Sequence, residues 1–205
     1  MSAIKKTFFS LKYSPNGQGV PYFIDKDWTP ELPDYDFYNF PPCVSDFLTK
    51  YDVKIKETKL DGDYLLEDEL VSDDFRILCE ELDVKCICIP VNVRLQRNKT
   101  PEKKYNLFFL TAYISILDQG NSVFNISIDP ETGKLNNPEE RGLHKVFYDS
   151  IDLFKIREDI NEHLFFCNEI AAPVCSSDFK EEYENRGLTG ITFIEIDDDY
   201  KYSAW

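Results

Sequence analysis

The chain has 205 residues, 42% of them hydrophobic and 15% aromatic, with 38 acidic against 23 basic side chains and a formal net charge of −15. That much apolar material can bury one substantial core, so residues 1–205 are expected to form a single domain. The charge argues against nucleic acid or an anionic membrane as a direct partner, because phosphates would be repelled.

No N-terminal apolar run has the form of a signal peptide, and no stretch approaches the roughly 18 apolar residues of a transmembrane helix. A cytoplasmic protein is therefore expected. Six cysteines, at 43, 79, 86, 88, 167 and 175, lie mostly within apolar runs and are expected as buried, reduced thiols.

In chain order, residues 4–13 (IKKTFFSLKY) read as a strand closed by Ser14-Pro15-Asn16-Gly17 turn chemistry. Residues 15–42 hold six of the eleven prolines, interleaved with Tyr22, Phe23, Trp28, Tyr35, Phe37, Tyr38 and Phe40. Proline at that density excludes long helices and central strands. An irregular segment wrapping the domain is expected, its aromatics pinned to the core; the alternative is an aromatic binding surface, with Trp28 a candidate anchor.

A short helix is expected over 44–51 and a half-exposed strand over 53–60. Residues 61–83 then carry ten carboxylates against one base, Arg76. Ser72-Asp73-Asp74 is a helix start, with Phe75, Leu78, Cys79 and Leu82 at inward spacing. Asp61, Asp63, Tyr64, Glu67, Asp68, Glu69, Asp73 and Asp74 are the candidate partner-binding residues, as an electrostatic docking face for a cationic partner.

Residues 85–95 and 105–117 read as two strands of a hairpin joined by the polar loop 96–104. A further strand is expected over 122–129, a polar loop over 130–142, and core segments at 147–156 and 164–167. No internal repeat is visible.

The C-terminal stretch 173–196 (PVCSSDFKEEYENRGLTGITFIEI) holds a helix start, a helix stop and a strand. Ser176 or Ser177 can cap the helix and Asp178 favours its positive end, while Phe179 and Tyr183 share a face. Gly187 suits the left-handed position past a helix end, with Leu188 placed to pack back on Tyr183. Gly190 turns the chain into the run 191–196, which contains Phe193; with both faces mostly apolar, it is expected inside a sheet.

The Ser-led helix followed by Gly-Leu-Thr-Gly-Ile-x-Phe resembles the ends of immunity proteins of bacterial polymorphic toxin systems. The order of segments from about 70 to 196 is similar too: Phe75 to Leu82, then Cys86 to Val91 interrupted by Pro90, then Tyr105 to Asp118, then His163-Leu164-Phe165-Phe166. The resemblance implies a protein that binds a cognate toxin.

Motifs for catalysis are missing: there is no G-x-S-x-G, H-E-x-x-H, Walker loop or strand-borne G-x-G-x-x-G. Cys86 and Cys88 share one strand face, but His144 and His163 supply no matching ligand pair, so neither metal nor cofactor is expected. The expected fold is α+β, a mixed, largely antiparallel sheet with a few short helices. The expected function is that of a non-enzymatic immunity protein that occludes a toxin with a basic surface, with homo-oligomerisation left open. The alternatives are a small enzyme using carboxylate and cysteine chemistry, or an adaptor module.

Overall fold

The computed structural model describes residues 6–34, 36, 38–65 and 69–205; Ile4, Lys5, Tyr35, Phe37, Glu67 and Asp68 lie outside the described residues. Two serines fix where strands become helices. Strand β5 (Leu70–Ser72) ends at Ser72, whose Oγ accepts the Phe75 N–H at 3.2 Å and opens α1 (Asp73–Glu81). Strand β12 (Ala172–Ser176) ends at Ser176, whose Oγ accepts the Phe179 N–H at 3.3 Å and opens α3 (Ser177–Asn185). Each serine satisfies a first-turn donor that would otherwise be orphaned in the interior. Ser176 is thus the cap, and Ser177 is the first helical residue.

Helix α3 stops as its glycine dictates. Gly187 has φ +65°, its N–H donates to the Glu184 carbonyl at 3.0 Å, and the Leu188 N–H donates to the Tyr183 carbonyl at 3.2 Å. This is the paired bonding of a Schellman stop, and Leu188 packs on the cluster that holds Tyr183.

Among the described residues the strands form three sheets. A six-stranded sheet runs β2 (Lys26–Thr29), β3 (Tyr51–Ile55), β6 (Cys86–Arg94), β7 (Tyr105–Leu110), β5, β4 (Tyr64–Leu65). A five-stranded sheet runs β13 (Ile191–Glu195), β1 (Phe8–Tyr13), β12, β11 (Leu164–Cys167), β8 (Tyr113–Ile114). A three-stranded sheet joins β14 (Tyr202–Ser203), β10 (Tyr148–Leu153) and β9 (Val123–Ile126). Among the described residues, only β3 with β6 and β8 with β11 pair in parallel, so the α+β, largely antiparallel expectation holds.

A repeat hidden in the sequence emerges here. In one unit the hairpin β4–β5 leads through a serine cap into α1 and then β6, and β7 lies between β5 and β6, antiparallel to both. In the other, the hairpin β11–β12 leads through a serine cap into α3 and then β13, and β1 lies between β12 and β13, antiparallel to both. The residue just before each hairpin receives the serine backbone: Ser72 N–H to Asp63 carbonyl and Ser176 N–H to His163 carbonyl, both 2.9 Å. The helices meet through Phe75 and Phe179, each the third residue after its cap, with ring centroids 5.9 Å apart. Phe75 also touches Tyr64, Phe108 and Tyr183, which makes it the centre of the core shared by the two larger sheets. The expectation of no internal repeat is corrected, because the shared signal is only Ser-x-Asp-Phe in each unit.

Other expectations shift. Within the expected helix 44–51, the only helical turn is a 3-10 turn at Val44–Asp46, and Tyr51 already begins β3. The run 105–117 is not one strand: β7, buried at every position, ends at Leu110, and the chain crosses to the five-stranded sheet as β8. The polar loop 130–142 contains a short helix, α2 (Pro138–Arg141), capped by Asn137. Strand β13 sits at a sheet edge, paired to β1 alone, with Thr192 and Glu195 exposed.

The two C-terminal glycines should respond differently to alanine. A Cβ on Gly187 meets nothing within 4 Å, whereas one on Gly190 would lie 2.2 Å from the Tyr64 carbonyl oxygen, at φ +112°. Gly187→Ala should lose about 1–2 kcal/mol from left-handed strain alone. Gly190→Ala should lose that and a further ~1–3 kcal/mol from overpacking. Urea midpoints test this, and equal losses would disprove the close approach.

Candidate interaction surface

Asp63 is fully buried, which a carboxylate tolerates only when its lone pairs are filled. Its Oδ1 accepts from Ser72 Oγ and from Lys103 Nζ, both at 2.7 Å. Its Oδ2 accepts from the Thr189 N–H at 2.9 Å and from Thr189 Oγ1 at 3.3 Å. The Asp63 and Tyr64 N–H groups donate to the Thr189 carbonyl in return. The carboxylate therefore ties the cap of α1 to the Leu-Thr-Gly turn after α3. Tyr64 is 2% exposed against Phe75, and burial, reinforced by neighbouring Tyr183, pushes its phenol well above the usual range. Asp63 and Tyr64, expected on a docking face, face inward instead.

The rest of the acidic run is also divided. Asp61 pairs with Lys59 at 2.9 Å, which lowers its carboxyl pKa. Asp73 accepts from Asn106 Nδ2 at 2.8 Å and pairs with Arg76; the Asn106 bond is the main cause of its lowered pKa. Glu69, at φ +60°, is half-buried in the wall of a cleft, and Asp74 is exposed. Glu67 and Asp68 lie outside the described residues. A contiguous run of carboxylates in sequence does not make one contiguous face, because strand alternation and turns send its members in different directions.

The exposed acid gathers elsewhere. Helices α1 and α3 pack side by side, each with four carboxylates against one base, Arg76 or Lys180. Asp74, Glu80, Glu81, Asp178, Glu181 and Glu184 are all exposed. Arg186 bridges the helices by pairing with Glu81 and, at 3.6 Å, Glu182.

The proline-rich segment splits its aromatics. Trp28 is half-buried, edge-on to Tyr51 at 6.1 Å, whereas Tyr22 and Phe23 are 74% and 76% exposed and Tyr38 and Phe40 54% and 58%. Tyr38 and Pro42 wall a cleft of about 720 Å³ that reaches across Tyr13, Phe109, Tyr113 and Phe166 between the two larger sheets. The expectation that these aromatics pin the segment inward is corrected for the four exposed rings.

With this geometry in place, a family model matches residues 38–198: the immunity protein family Imm11. The chain belongs to that family. No curated protein matches it. The Imm11 match takes in both serine caps and the turn Gly187–Gly190, whose likeness to immunity proteins is apparent in the sequence itself. It leaves out β1, β2, Tyr22 and Phe23.

In this Imm11 chain the groups that could suggest a hydrolase are cap chemistry. His163 Nδ1 lies 2.8 Å from Ser176 Oγ and 3.8 Å from Asp178 Oδ2. Serine and carboxylate meet the same ring nitrogen, and Ser176 is fully buried at its cap, whereas a triad needs opposite nitrogens and an accessible hydroxyl. The His144 ring lies against Phe40, tilted, with centroids 4.8 Å apart. None of the six cysteines is in a disulfide. Cys86 and Cys88 do share a face, with Sγ atoms 3.8 Å apart, and thiol hydrogen bonds from Cys79 and Cys88 lower the Cys86 pKa.

Asp63→Ala should remove about 3–5 kcal/mol of stability, because Lys103 and Thr189 lose a buried acceptor. Asp63→Asn should lose less. Denaturant titration measures both, and a loss below ~1 kcal/mol for Asp63→Ala would show the hub to be incidental.

Proposed function

We propose that this Imm11 protein neutralises a cognate toxin of a bacterial polymorphic toxin system by stoichiometric occlusion, in the cytoplasm, as a single domain and without catalysing a reaction. The observation that carries the occlusion reading is the paired acidic helices α1 and α3, an extended negative ridge on a protein of net charge −15. Toxin domains that act on nucleic acids or nucleotides need basic active-site surfaces, and a negative ridge is drawn to such a surface ahead of contact. Attraction of this kind acts over about 10 Å at 0.1 M salt.

The test is to mix the protein with the toxin domain encoded in the adjacent reading frame. A 1:1 complex and loss of toxin activity at equivalence are expected. The association rate should fall about tenfold or more on raising salt from 50 to 500 mM, and similarly for Asp74→Lys with Glu181→Lys. Undiminished toxin activity under a molar excess would reject the reading.

A further inference from the structure

Six of the ten large apolar side chains left exposed among the described residues fall within 22–48: Tyr22, Phe23, Tyr38, Phe40, Val44 and Leu48. Scattered exposed apolar residues need no explanation, but this concentration in one short segment does. The same segment carries exposed Asp27, Glu31, Asp34, Asp36 and Asp46, with Lys26 its one base.

Its described residues are held to the domain at several points. β2 pairs with β3 over four residues, Tyr13 Oη donates to the Pro21 carbonyl, Lys145 Nζ donates to the Tyr38 carbonyl at 2.7 Å, and Phe47 stacks on Phe109 at 4.7 Å. A surface held in place while its rings point to solvent binds with little ordering cost. Rings interleaved with carboxylates suit arginine, whose guanidinium stacks on aromatic faces and forks onto carboxylates. Tyr22, Phe23, Asp27, Glu31, Asp34 and Asp36 also lie outside the Imm11 match, so family membership does not supply this N-terminal part of the feature.

We propose that the described residues of this strap, 22–34, 36 and 38–48, form the recognition surface for an arginine-bearing face of the toxin, with the cleft beside Tyr38 seating one anchoring side chain. This rests on the immunity reading above, and it divides the labour: the helix ridge speeds encounter, while the strap sets residence time and the choice of toxin.

The experiment uses the full chain and a catalytically silenced form of the adjacent toxin domain. Hydrogen exchange on the wild-type complex should show protection concentrated at 22–48. Tyr22→Ala with Phe23→Ala, and separately Tyr38→Ala, should keep the wild-type circular dichroism and melting temperature because all three rings are exposed. The double variant should bind at least 100-fold more weakly, chiefly through faster dissociation, whereas ridge variants alter association. Wild-type affinity in these variants, or protection confined to other segments, would overturn the strap while leaving the immunity reading intact. A wild-type chain that binds no toxin would remove both. A homodimer dissociated by the double variant would show that the strap is covered by a second copy, and would also overturn the proposal.

Discussion

The structure depends on one buried carboxylate. Asp63 accepts from a serine hydroxyl, an ammonium and both the backbone and side chain of Thr189, so the α1 cap, the loop before β7 and the turn after α3 share one acceptor. An ionised group in this position is stable only while all partners are present. The two strand-cap-helix-strand units are therefore locked in register by an interaction that tolerates no slippage, and Gly190 seals the joint because the Tyr64 carbonyl leaves no room for a Cβ.

The second unit answers the first with different chemistry. Where Asp63 anchors Ser72, His163 anchors Ser176, and in both cases the anchoring residue also accepts the serine backbone N–H. A cap serine can donate through its hydroxyl while accepting from the helix, so either a carboxylate or an imidazole serves as its partner. That freedom explains how the architecture repeats while the sequence hardly does. The polar groups conserved between the units are positional, and the apolar ones reduce to Phe75 and Phe179 meeting at the seam.

What was legible in the sequence is what depends on neighbours along the chain. Ser72, Ser176, Gly187 and Leu188 act within a turn or two of themselves, and their roles in starting and stopping α1 and α3 follow from spacing alone. What was not legible depends on residues far apart. Asp63 reads as one acid in a charged run until Thr189, 126 positions on, is folded against it. The break at Leu110 is equally hidden, because YNLFFLTAYISIL is mostly apolar and only the transfer between sheets cuts it. Tyr64 was misplaced for the same reason. The outward turn of Tyr22, Phe23, Tyr38 and Phe40 also escapes composition, since aromatics among prolines can face either way.

The charge distribution follows from these constraints. Buried or paired acids such as Asp63, Asp61 and Asp73 stabilise the fold, and their opposite numbers are taken up by Lys103, Lys59 and Arg76. Most of the chain's excess of carboxylates has no such internal use. It is displayed on the helix pair and interleaved with rings on the strap; part of it is paired, Glu81 and Glu182 with Arg186 and Glu184 with Lys180, and the unpaired remainder repels itself. That unpaired acid, beside the exposed rings of the strap, is the surface on which the proposed binding rests. In the proposed function, surface charge sets the rate of encounter with the toxin, and desolvated aromatics determine how long the complex lasts.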